Sequence, residues 1–96
     1  MRPSDVLEAH RASIRALATR YRVGNVRVFG SVLHADDIEG SDIDLLVEPT
    51  PHTTLMDIAG LQVEIETLLG VPVDVLTPKS LPLTFRDRVL HEAQPL

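Results

Sequence analysis

Apolar residues along this chain recur in two rhythms, one helical and one extended. Val6, Ala9, Ile14, Leu17, Ala18 and Tyr21 keep close to a helical period, and Arg11, Arg15, Arg20 and Arg22 fall mostly outside that stripe. Asp5 fits the N-cap of this helix, with Glu8 reaching back from the third position. Gly24-Asn25 is the expected stop, and Val26–Phe29 reads as a short strand. Between Ser31 and Gly40 the pattern is weak: Val32 and Leu33 suit a helical turn, and residues 36–40 a polar loop. Asp42–Val47 reads as the second strand, closed by Glu48-Pro-Thr-Pro51. Thr53 or Thr54 then caps a long helix in which Leu55, Ile58, Leu61, Ile65, Leu68 and Leu69 recur at spacings of three and four, and Gly70 ends it. Pro72 opens a third strand, Val73–Leu76, where a first-position proline is tolerated. A last short helix over residues 84–93 packs through Phe85, Val89 and Leu90.

Composition narrows what such a chain can do. Ninety-six residues suit one small domain, residues 1–96, and 44% hydrophobic content argues against disorder. Tyr21, Phe29 and Phe85 are the only aromatics, so the core must be aliphatic and no stacking platform for single-stranded nucleic acid is visible. The absence of cysteine excludes disulfides and thiolate metal sites. No apolar run approaches a membrane span and the N-terminus lacks a signal segment, so a cytoplasmic location is expected.

Charge is uneven. Residues 1–29 hold six arginines against Asp5 and Glu8, whereas residues 30–78 hold ten acids and neither Lys nor Arg. Nucleic-acid binding rests on clustered cations, so direct binding of long RNA or DNA is not expected. A site in the acidic segment needs metal ions to accept a polyanion.

That segment contains the candidate chemistry. On a strand, Asp42 and Asp44 share a face with Cα atoms roughly 6.6 Å apart. Read alone, the pair also fits solvent-facing acids on an edge strand. Paired carboxylates repel, and a divalent cation such as Mg²⁺, held by one or two carboxylates plus substrate phosphates, would offset the repulsion. Gly30-Ser31 ends the preceding strand, where a glycine allows close approach of backbone N–H groups and a hydroxyl to phosphate oxygens. Ser31 also fits a cap for the following turn, and Ser41 a local turn residue. His34 and His52 lack a second histidine at ligand spacing, and Asp36, Asp37 and Glu39 read as a solvated loop. The element order fixes the rest. The first two strands run antiparallel if Gly30 is to meet Asp42, and a crossover helix makes the second and third parallel neighbours. Asp74 then lands beside Asp42 and Asp44. The expected fold is α/β, a small mixed sheet of three or slightly more strands with helices packed on it.

Gly30-Ser31, an acidic loop, Gly40-Ser-Asp-Ile-Asp-Leu-Leu-Val47 and Val73-Asp-Val75 together resemble the polymerase-beta-like nucleotidyltransferase superfamily. The match is closest to its minimal nucleotidyltransferase (MNT) proteins, the MntA-type antitoxins of HEPN/MNT toxin–antitoxin modules. The resemblance implies that Asp42, Asp44 and Asp74 hold two Mg²⁺ ions and that Gly30 and Ser31 bind ATP. It implies that Asp74 helps to deprotonate the acceptor, and that AMP passes to a tyrosine of a HEPN-type ribonuclease toxin. Two other readings stand beside it: a non-catalytic antitoxin that neutralises its partner by binding, and a small-molecule or tRNA nucleotidyltransferase subunit. Many relatives carry an arginine soon after the Gly-Ser pair, where Val32, Leu33 and His34 stand here. Arg27, Lys79, the metals or a partner are then left to grip the triphosphate.

Overall fold

The computed structural model describes residues 2–96. The chain runs α1 (Pro3–Ala9), α2 (Arg11–Arg20), β1 (Val23–Phe29), β2 (Ile43–Pro49), α3 (Leu55–Leu69), β3 (Val73–Leu76), α4 (Arg86–Glu92) and β4 (Gln94–Pro95), with a 3-10 turn at Pro78–Ser80. Its α/β architecture centres on a mixed sheet ordered β3-β2-β1-β4. β1 is antiparallel to β2 and to β4, and α3 carries the crossover that makes β2 and β3 parallel. Four strands fall within the expected three or slightly more, but nothing in the sequence placed β4, which is two residues long and carries no alternating pattern.

Strong local signals set α3 and β3 where they stand. The Asp57 N–H donates to the Thr54 hydroxyl at 3.1 Å, and the Thr54 N–H donates back to the Asp57 carboxylate at 2.9 Å. Gly70 closes the helix at φ +70°, a conformation costly for other residues. The packed stripe is narrower than the sequence suggests. Leu61, Ile65 and Leu69 are buried, whereas Leu55 is 89% exposed, because burial begins only after the first turn. Along the outer edge of the sheet, the Val73 N–H donates to the Glu66 carboxylate at 3.1 Å and the Val75 N–H to the Gln62 side-chain oxygen at 3.0 Å.

The N-terminal region departs from the sequence reading in three ways. The expected single helix breaks at His10, whose φ of −121° leaves the helical range and whose ring bonds to the Val6 carbonyl at 2.9 Å. Asp5 is the third residue of α1 and accepts the Arg2 N–H at 3.2 Å, so it is not the N-cap; Pro3 opens the helix and Glu8 pairs with Arg11. Gly24-Asn25 lies within β1 as a bulge, with the register shifting before Arg27 and Asn25 at φ +47°. Asparagine tolerates that left-handed conformation, which lets the strand start at Val23.

Two aliphatic clusters sandwich the sheet. Val28, Ile43, Leu45, Val47, Val73 and Val75 pack with Ile14, Leu61 and Ile65 of the helices on one side. On the other, Phe29 and Leu46 pack with Leu81, Val89 and Ala93. Alternation along β2 and β3 puts Asp44 and Asp74 on this second side.

Residues 30–42 connect β1 to β2. They begin with one helical turn, in which the Asp36 N–H donates to the Ser31 carbonyl at 2.9 Å. Asp37, expected in solvent, is 2% exposed. It accepts the Ser4 N–H at 2.9 Å and an Arg2 guanidinium N–H at 3.0 Å, while Arg2 also donates to the Asp37 and Ala35 carbonyls. The N-terminal segment therefore clamps the loop. Among the described residues no helix is long and apolar enough to cross a membrane.

Candidate active site

β1 ends, and β2 and β3 begin, at the same end of the sheet. Phe29 pairs with Asp44, and Asp44 with Asp74, as direct register partners. Asp42 is exposed, two residues before Asp44 at the mouth of β2. Gly30 turns the chain at φ +76°, and a Cβ on it would collide with the Asp44 carboxylate. Only glycine satisfies both demands, so the backbone comes close to the acid cluster.

The electrostatics are those of uncompensated charge. Asp44 is half-buried, and its carboxyl is pushed up to about 6, first by burial and then by Asp74 and Asp42. Among the described residues none of the three carboxylates accepts a side-chain hydrogen bond or forms an ion pair, although Arg2, Arg11, Arg20 and Arg27 each stand beside another acid. Hard oxygen donors whose mutual repulsion already raises a pKa fit a divalent cation. Among the described residues no three His, Cys, Asp or Glu side chains are grouped so as to hold a metal ion by themselves. Mg²⁺ is commonly held by one or two carboxylates, with waters and substrate phosphates as its other ligands.

Gly30 also lines a cleft of about 400 Å³ with Phe29, His34, Phe85, Arg88, Val89 and Glu92. Ser31 is half-buried beside it, and its hydroxyl makes no hydrogen bond to another described residue, so it does not cap the turn. Ser41 accepts the Ile38 N–H at 3.0 Å and is the local turn residue expected. His34 faces Glu92 across the cleft at 3.4 Å.

The basic groups suggested by the sequence do not reach this cleft. Arg27 is nearly buried and paired with Glu48. Lys79 lines a separate pocket with Glu48, Pro49 and Thr77, beyond the opposite ends of β2 and β3. Arg88, in the closing Arg86-Asp-Arg-Val-Leu segment, was given no role in the site from the sequence. The signal was its place beside Phe85 and Val89, whose four-residue spacing packs α4 against the sheet and turns its neighbouring face to the cleft.

Comparison with known proteins gives the arrangement a context. The nucleotidyltransferase domain family matches residues 10–96. The chain is 33% identical over 87 residues to protein adenylyltransferase MntA of Thermococcus cleftensis, covering 91% of this chain and 85% of that protein. It is 40% identical over 74 residues to a candidate protein adenylyltransferase of Methanocaldococcus jannaschii, covering 77% and 80% of the two chains. A solved structure described as a candidate minimal nucleotidyltransferase superposes with a TM-score of 0.86 at 42% identity, covering 97% of this chain and 95% of that one. A toxin–antitoxin complex with AMP-PNP contains a chain of the same fold, with a TM-score of 0.73 at 19% identity over 88% of this chain and 69% of that one. The fold, the shared sequence and the family match agree: this chain belongs to the nucleotidyltransferase domain family and is a nucleotidyltransferase of the minimal, polymerase-beta-like kind.

Proposed function

We infer that this enzyme is the antitoxin of a toxin–antitoxin pair and that it transfers AMP from ATP to a tyrosine hydroxyl of a HEPN-type toxin. A cytoplasmic site of action accords with ATP as donor. The observation that carries the reading is the meeting of Asp42, Asp44 and Asp74 beside Gly30 at one sheet end. Relatives named protein adenylyltransferases, one of them MntA, support protein as the acceptor, and a fold neighbour crystallised as a toxin–antitoxin complex supports a toxin as partner.

Each residue then has a role. Asp42 and Asp44 would hold Mg²⁺, with Asp74 completing the set, and two bound ions would supply neutralisation of phosphate charge. The Gly30-Ser31 turn offers backbone N–H groups and the Ser31 hydroxyl to the triphosphate. Asp74, on the exposed edge strand, takes the acceptor proton. The acceptor oxygen bonds to the α-phosphorus, the bond from that phosphorus to the bridging oxygen breaks, and pyrophosphate leaves.

The test is incubation with α-labelled ATP, Mg²⁺ and the product of the neighbouring gene, followed by mass spectrometry of that protein. Addition of AMP to tyrosine is expected, and its loss in the Asp42→Ala/Asp44→Ala double variant. A folded double variant that still neutralised the toxin fully would instead identify an antitoxin acting by binding. Label on tRNA or a small molecule, and none on protein, would replace the acceptor.

A further inference from the structure

We propose that Arg88 is the cation that grips the nucleoside triphosphate, delivered by α4 from the far end of the chain. The assignment presupposes the adenylyl-transfer reading above. A triphosphate is strongly anionic, and the residues from Gly30 to Pro78 that surround the carboxylates contain no Lys or Arg. The charge must come from elsewhere in the chain.

Most of the basic residues are committed. Arg2 and Arg27 are held by Asp37 and Glu48, and Arg11 by Glu8. Arg15 donates to the Leu96 carbonyl at 2.8 Å, and Arg20 lies 3.7 Å from Glu64. Arg22 precedes Val23, which pairs with Pro49 at the sheet end opposite Asp44, and Lys79 lines the pocket at that same end. Arg86 donates to the Lys79 and Leu81 carbonyls at 2.9 and 2.8 Å.

Arg88 differs on each count. It lines the cleft that Gly30 borders, and among the described residues its side chain has no hydrogen-bond or ion-pair partner. Its helix is fixed: Val89 and Ala93 pack on Phe29 and Leu46, and the Arg86 bonds pin the first turn. A planar guanidinium held there can donate two parallel hydrogen bonds to phosphate oxygens. His34 and Glu92, paired across the cleft, leave Arg88 as its permanent positive charge.

The test is calorimetric titration with a non-hydrolysable ATP analogue and, separately, with AMP, both in Mg²⁺. Arg88→Ala should weaken the ATP analogue about tenfold or more, as expected for a lost charge-assisted contact, and AMP by far less. Arg88→Lys should recover part of the loss, and Arg22→Ala should change neither ligand. Arg88→Gln serves as the second variant, each with its melting temperature matched to the wild type. Binding of the ATP analogue within twofold of wild type in folded Arg88→Ala and Arg88→Gln overturns the assignment. Equal losses for AMP and the ATP analogue overturn it too, moving the contact away from the outer phosphates. A wild-type protein that binds neither ligand removes the underlying adenylyl-transfer reading itself.

Discussion

Asp37, inside the β1–β2 connection, and Asp44, just beyond its end, are built on opposite terms. Asp37 is buried and satisfied: a backbone N–H, a guanidinium and the surrounding loop converge on it, and the Ser4 N–H leads in holding its carboxyl below the usual carboxylate range. Asp44 is only half-buried and unsatisfied, with Asp42 and Asp74 as its charged neighbours and its carboxyl raised to about 6. A buried charge with partners holds a fold together. A charge left facing like charges costs stability and waits for a ligand.

The largest expected effect lies on the unsatisfied side. Asp42→Ala with Asp44→Ala should lower the rate of AMP transfer about a thousandfold or more, since a metal's several kcal/mol of charge stabilisation convert at about 1.4 kcal/mol per decade. A steady-state assay showing less than a tenfold change would remove these residues from the chemistry. Next comes Gly30→Ala, where the added Cβ meets the Asp44 carboxylate and the left-handed φ is strained. The two costs sum to roughly 2–4 kcal/mol, readable as a lower denaturant midpoint and as weaker Mg²⁺ binding.

Asp37→Asn breaks the satisfied side. It should lower the melting temperature more than the same change at exposed Asp36, while leaving Kd for Mg²⁺ nearly unchanged in the variant that remains folded. Equal melting curves for the two variants would show that the clamp contributes nothing. Asp44→Asn should do the reverse, raising the melting temperature of the metal-free protein above pH 6 and abolishing any further rise with Mg²⁺.

The smallest and sharpest contrast is in pH. Asp44 binds its proton more tightly folded than unfolded, from 3.8 to about 6, so its charge erodes stability as pH rises through that window and then costs a constant amount. Asp37 is shifted downward, so its contribution is present above the ordinary carboxylate range and is lost as pH falls through its folded value. Melting temperatures of the two Asn variants against pH, without metal, should differ from wild type with opposite slopes. Parallel curves would contradict the comparison.

The sequence made one half of this contrast readable and hid the other. Gly30, Asp42, Asp44 and Asp74 stand at strand ends marked by short apolar runs, and Thr54 and Gly70 bound the crossover helix that sets their parallel register. Asp37 carries no such mark, because its partners Arg2 and Ser4 lie more than thirty residues away and only the folded chain brings them together. The break at His10 and the bulge at Gly24-Asn25 are likewise tertiary outcomes, each overriding a plausible local helix signal. Arg88 was hidden for a third reason. Its helix is short, and although Phe85 and Val89 mark the face that packs, only Phe29 and Leu46 of the folded sheet set where that face docks.

The two α3 side chains that bond to β3 bear on how a partner can approach. Sheets with open margins invite extension by a foreign strand, a common mode of protein recognition and of aggregation. Here Glu66 and Gln62 already occupy the outward N–H groups of Val73 and Val75. An incoming strand would have to evict both and would arrive beside Asp74. While these two bonds hold, the β3 margin is closed to strand pairing, and Asp74 is reached from the carboxylate end of the sheet rather than by extending this edge.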